Sequence, residues 1–202
     1  TRDFIPIRDV LDQYLEERDT LAENDTVPKG PVLSGFDDMD ELLGGLHRSD
    51  LIILAARPSL GKSSLATNIM VNIAKTGSVV AVFSLEMSKE QLAVRMIASE
   101  AAVDAHALRL NLLTDIQEQR VSDAVGTLSD LPIYIDDTPF QGIFEMRSKA
   151  HRLHLDRGLD LLVVDYLQLI QGRGRGDNRV QEISEITRSL KGIARFSNVP
   201  IL

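Results

Sequence analysis

The chain has 202 residues, 44% hydrophobic and 26% charged, the size of one globular domain with a short appendage, which excludes a two-enzyme fusion. Lys and Arg number 22 against 30 Asp and Glu, a net charge of −8, so any attraction to nucleic acid or anionic membrane must be local. No Cys is present, which excludes a disulfide framework and thiolate metal sites and fits a cytoplasmic setting.

Thr1-Arg2-Asp3 carries neither an initiating Met nor a signal-like apolar region, as expected of a fragment of something longer. Ile7, Val10, Leu11, Tyr14, Leu15 and Leu21 fall at helical spacing and predict a helix from about Pro6 to Leu21 with one apolar face. The stretch Glu23 to Pro31 holds two prolines and a glycine and reads as a linker. The expected division is therefore a helix and linker over residues 1–30 and a domain over 31–202.

After the Gly44-Gly45 turn, Leu51 to Ala56 is a continuous apolar run that reads as a buried strand. Ser63 to Lys75 reads as a helix closed by Gly77, and Val79 to Phe83 as a second strand. Ser88 and Thr114 are caps for two helices that separate this strand from a short one at Ile133-Tyr134-Ile135. Thr138-Pro139-Phe140-Gln141 has the form of a capping box opening a helix that should end at Gly158. Leu161 to Val164 is the fourth strand, Val180 to about Phe196 the last helix, and Val199 to Leu202 the opening of a fifth strand. No apolar run approaches the roughly 18 residues of a membrane span, because Asp165 breaks the longest candidate, Leu161 to Ile170. Strands alternating with helices predict an α/β fold with a parallel sheet covered on both faces.

The chemistry concentrates in Ala56-Arg57-Pro58-Ser59-Leu60-Gly61-Lys62-Ser63, which matches the phosphate-loop pattern G-x-x-x-x-G-K-[ST] with Ala56 in place of the first Gly. The loop follows a strand and opens a helix, the context in which backbone N–H groups surround phosphates. Arg57, Pro58, Ser59, Leu60, Gly61 and Lys62 form the candidate ATP loop, continuing into Ser63 and Ser64. Lys62 reaches the β and γ phosphates and the Ser63 hydroxyl binds Mg²⁺. Asp165 closes an apolar strand about a hundred positions later, where a nucleotide hydrolase places the carboxylate that orients Mg²⁺.

Glu86 follows the second strand. In a parallel sheet it should share an edge with Lys62 and Asp165, where a general base can polarise the attacking water. Arg95, on the next helix, reads either as a stacking partner for the nucleotide base or as a helix-surface arginine. Arg173, Arg175 and Arg179 make a glycine-rich segment locally basic, suited to tracking a single-stranded DNA backbone through charge-assisted hydrogen bonds or else simply solvated. The four histidines show no metal-ligand spacing and receive no chemistry.

Three motifs in order, Ala56 to Ser63, Phe83-Ser84-Leu85-Glu86-Met87-Ser88 and Asp165-Tyr166-Leu167-Gln168-Leu169, resemble the ATPase motor of the bacterial replicative DNA helicase, the DnaB family. The resemblance implies a RecA-like core working as a homo-hexameric ring that hydrolyses ATP and moves along single-stranded DNA. It assigns Lys62 and Ser63 to the phosphate loop, Glu86 to catalysis and Asp165 to the magnesium site. It also implies a helical domain that meets primase before Thr1, a helicase loader, and a γ-phosphate sensor and arginine finger beyond Leu202. The helix from Pro6 is then expected to dock on the adjacent protomer. In RecA-type ATPases the strand after Asp165 lies centrally, beside the phosphate-loop strand. A RecA-type recombination or clock-type ATPase shares these motifs without unwinding duplex. A nucleotide-gated assembly module would hydrolyse little, which Glu86 argues against, and nothing resembles the acceptor lid of a small-molecule kinase.

Overall fold

A computed structural model describes residues 4–12, 15, 30–170 and 179–202 in two compact units, 1–31 and 32–202. In the first unit residues 7–12 are helical (α1), as is residue 15. The remainder of the expected helix, most of the linker, and Arg173 and Arg175 lie outside the described residues.

The second unit runs α2 (Asp37–Leu43), α3 (Lys62–Lys75), β1 (Val79–Ser84), α4 (Lys89–Glu100), α5 (Ala105–Arg109), α6 (Asp115–Ser129), β2 (Ile133–Asp136), α7 (Ile143–Arg157), β3 (Leu159–Asp165) and α8 (Arg179–Ser197). A short 3-10 helix, Leu167–Leu169, follows β3. The strands form a parallel sheet in the order β2-β1-β3. Strand residues point alternately to opposite faces, and that alternation divides the core in two. Val80, Val82, Leu161 and Val163 pack with Ile69, Met70 and Ile73 of α3 and Leu92 and Met96 of α4. Ala81, Phe83 and Leu162 pack with Met146 and Ala150 of α7 and Leu190 and Ala194 of α8. Apolar runs such as Val79 to Phe83 are needed because both faces are covered.

Helix ends follow the local chemistry. Ser88 and Gln91 form a reciprocal capping box at α4, the Thr114 N–H donates to Gln117 Oε1 at α6, and Gly158 ends α7 with φ +77°. These interactions occupy N–H and C=O groups that a helix terminus otherwise leaves unpaired.

Three expectations are corrected. The run Leu51–Ala56 is no buried strand: Leu51 makes a single bridge to Ile201, and Ile53 is 60% exposed. Its ladder with the segment around Ile201 holds two bonds, Ile52 N–H to Ile201 O and Ile201 N–H to Asp50 O. The opening of a fifth strand at Val199–Leu202 is as expected: Leu162 N–H donates to Pro200 O, Leu202 N–H to Leu162 O and Val164 N–H to Leu202 O, and Ile201 sits between Leu162 and Leu51. Three helices, not two, separate β1 from β2, because the Asp104 carboxylate caps one turn at α5 by accepting from Ala107 N–H at 2.8 Å. The Thr138–Gln141 box does not open a helix, since the Gln141 amide donates to Asp136 Oδ1 at 2.7 Å and α7 starts at Ile143.

Ahead of α2, Asp40 accepts from the N–H groups of Ser34 and Gly35, and Asn72 Nδ2 of α3 donates to Ser34 O at 3.1 Å. Gly35 has φ +79°, and a Cβ there would lie 2.7 to 2.9 Å from the Asn72 side chain. Gly35→Ala should therefore destabilise the domain by about 1 to 3 kcal/mol through strain and loss of this seat. A lower urea midpoint with an unchanged slope is the expected observation, and an unshifted midpoint would contradict it.

Candidate nucleotide site

Parallel strands deliver their C-terminal ends to one edge, and the loop connecting Ala56 to α3 lies there. Within it Leu60 N–H donates to Arg57 O at 3.3 Å, while Ser59 and Gly61 take φ values of +65° and +90°. A Cβ on Gly61 would meet nothing within 4 Å, so backbone conformation and not space calls for glycine. No side chain caps α3. The first N–H groups of the helix, at Lys62, Ser63 and Ser64, thus lack intrahelical partners and sit at the positive end of the helix dipole, open to an anion.

Lys62 Nζ is ion-paired with Asp165 Oδ1 and lies 4.7 Å from the centre of the Tyr166 ring. The Lys62 and Asp165 side chains are 27% and 17% exposed, so the pair is partly shielded and still reachable by a ligand. Main-chain bonds register the site: Leu85 N–H donates to Asp165 O at 2.8 Å, and Ser84 pairs opposite Asp165 across β1 and β3. Arg95 Nη1 donates to Ser64 Oγ at 2.7 Å, tying α4 to the first turn of α3.

These groups surround a cleft of about 830 Å³ whose walls include Arg57, Pro58, Ser59, Gly61, Lys62, Ser63, Glu86, Arg95 and Asp165. Glu86 is exposed on the loop after β1. Leu60, 72% exposed, and Ser64 are not among the lining residues. Arg179 is the first residue of α8. Two polar lining residues, Tyr166 and Thr187, have no role in the sequence reading. Tyr166 directly follows the strand-ending carboxylate, a neighbourhood that should have drawn notice, whereas Thr187 reaches the cleft from α8 and only the tertiary fold reveals it.

The cleft suits a polyphosphate, with unpaired amides and a lysine on one side and carboxylates on the other. Among the described residues no cluster of three or more His, Asp or Glu could hold a metal alone. Ser63 and Asp165 supply the hard oxygen donors that Mg²⁺ prefers and leave its other positions to phosphate and water. No described helix is long and apolar enough to cross a membrane.

Fold and loop together define a RecA-like P-loop ATPase domain. The chain belongs to the DnaB-like helicase C terminal domain family, which it matches over residues 31–202. It is 47% identical over 202 residues to the replicative DNA helicase DnaB of Synechocystis sp., covering 98% of this chain and 23% of that protein. With DnaB of Geobacillus stearothermophilus it shares 46% identity over 201 residues, 98% of this chain and 44% of the relative. With the replicative DNA helicase DnaC of Bacillus subtilis it shares 46% over 207 residues, all of this chain and 45% of the relative. The chain thus spans less than half the length of these relatives. Among solved structures it resembles an ATPase domain with a TM-score of 0.86 and 30% identity over 98% of this chain and 70% of that one. It also resembles a DnaB-like replicative helicase solved in a study of its interactions with primase, with a TM-score of 0.82 and 30% identity over 98% and 48% of the two chains.

Proposed function

We propose that this chain is the motor domain of a replicative DNA helicase. In this reading ATP hydrolysis within a homo-hexameric ring drives movement along single-stranded DNA and parts the duplex at a replication fork. The observation that carries it is the convergence of Lys62, Glu86 and Asp165 on one cleft beside an uncapped helix N-terminus. Lys62 exchanges Asp165 for the β and γ phosphates, where its charge stabilises the transferring phosphoryl group. Ser63 and Asp165 hold Mg²⁺, which neutralises phosphate charge when bound. Glu86 polarises the attacking water, and Arg95 borders the nucleotide from α4.

The names of the curated relatives favour a helicase over a recombination or clock-type ATPase. The first 30 residues would dock on an adjacent protomer. Primase and a loader would bind through regions partly outside this chain, in the cytoplasm at the nucleoid. The deciding experiment is ATP-driven unwinding of a forked duplex by the full-length protein: strand separation supports the reading, and ATP hydrolysis without it moves the protein to the recombination class.

Arg173, Arg175 and Arg179 are proposed to follow the DNA backbone. Replacing all three by Ala should flatten the dependence of log affinity on log salt by about two, given roughly 0.7 per neutralised phosphate on a single strand. Titration of the full-length protein with fluorescent oligonucleotide at several salt concentrations reads this slope. An unchanged slope would return the segment to solvent.

A further inference from the structure

Glu86 is the only proposed reacting group that sits exposed on a loop, and the bonds around it are unusually complete. Ser84, the last residue of β1, is 4% exposed, and its hydroxyl donates to Met87 O at 2.7 Å. That bond closes the turn Ser84 to Met87 with Glu86 near its apex. Backbone pairing to Asp165 fixes one side of the turn, through Leu85 N–H. On the other side the chain enters α4, where Lys89 N–H donates to Asp137 Oδ2 at 2.9 Å. Asp137 belongs to the segment after β2, so the turn is braced from the strand on either side of β1.

We propose that Ser84 and Asp137 are positioning residues for Glu86, holding the turn that carries it by the Ser84 hydroxyl on the Met87 carbonyl and the Asp137 carboxylate on the Lys89 amide. The proposal rests on the reading of Glu86 as general base. An O–H to O=C distance of 2.7 Å is that of a well-formed bond, and a serine this buried has little water to replace its partner. Without the bond the turn gains freedom, and a small displacement of a reacting group is costly: about 1 Å can lower a rate on the order of 10²-fold. The phosphate loop and α3 lie on other elements, so nucleotide affinity should not change.

The test compares ATP turnover with binding of a fluorescent ADP, using the full-length protein with single-stranded DNA. Ser84→Ala should lower kcat about tenfold or more with unchanged ADP affinity, while Ser84→Thr, which keeps the hydroxyl, restores most of the turnover. Asp137→Ala should lower kcat in the same way and Asp137→Asn, which keeps an acceptor oxygen, should restore it. In a Glu86→Gln background Ser84→Ala should have no further effect, the non-additivity expected of residues acting through one another. Full kcat in Ser84→Ala, or a loss that persists undiminished beside Glu86→Gln, overturns the positioning role. If circular dichroism shows Ser84→Ala unfolded, Asp137→Ala decides on the same two criteria. Wild-type turnover in Glu86→Gln alone overturns the general-base reading and this proposal with it. An inactive Glu86→Gln beside a fully active Ser84→Ala overturns the positioning role only.

Discussion

Lys62→Ala is expected to abolish nucleotide hydrolysis while leaving the fold in place. The Lys62 ammonium touches the Asp165 carboxylate and the Tyr166 ring at the cleft wall, and Lys62 is absent from both apolar core clusters. Its removal takes away the cation aimed at the phosphates, and preorganised charges of this kind contribute on the order of 10² to 10³ in rate apiece. Phosphate affinity should fall as well, because the same charge offsets ground-state phosphate. Phosphate release by the full-length variant, set beside its circular dichroism melt, makes the measurement. A wild-type rate would remove the phosphate-loop assignment, and a collapsed melt would show that the lysine serves the fold.

Glu86→Gln should separate binding from turnover. Glutamine keeps the size and much of the hydrogen bonding of glutamate but cannot take a proton, so ATP should bind as before while kcat falls about 10² to 10⁴-fold. The exposure of Glu86 makes a folding defect a poor explanation for such a loss. Equilibrium binding of a fluorescent nucleotide and steady-state hydrolysis distinguish the possible outcomes. Lost affinity in a folded variant would turn Glu86 into a ligand contact, and retained turnover would leave the water to another group.

What could be read from sequence was what local chemistry decides. The apolar runs at Val79 to Phe83 and Leu161 to Val164 form strands buried on two faces, and Ser88, Thr114, Gly77 and Gly158 mark helix ends through their own backbone or side-chain bonds. The phosphate loop was legible for the same reason, since its glycine and uncapped helix start are neighbours in the chain. Errors arose where a distant partner won over a near one. Gln141 satisfies the spacing of a capping box with Thr138, yet the Thr138 N–H donates to Asp136 Oδ1 and the Gln141 amide donates to Asp136 Oδ1 and Thr138 O instead of its oxygen accepting from Thr138. Leu51–Ala56 has the composition of a buried strand, but strand structure requires a neighbour to pair with, and among the described residues Ile201 alone answers. Tyr166 is marked in the chain by its place directly after Asp165, whereas Thr187 across the cleft depends on how α8 lies beside α3, which no spacing along the chain reveals.

The pairing of Ser84 with Asp165, reinforced by the Leu85 N–H to Asp165 O bond, makes the sheet a gauge block. The start of the loop that bears Glu86 and the strand end that bears Asp165 are set by the spacing of adjacent strands, about 4.8 Å, and can separate only if ladder bonds break. Strain entering the domain elsewhere reaches these two carboxylates as one stiff body. On the other side of the cleft Lys62 begins α3, whose Ile69, Met70 and Ile73 are seated in the core. The Lys62–Asp165 ion pair ties that helix start to the same block.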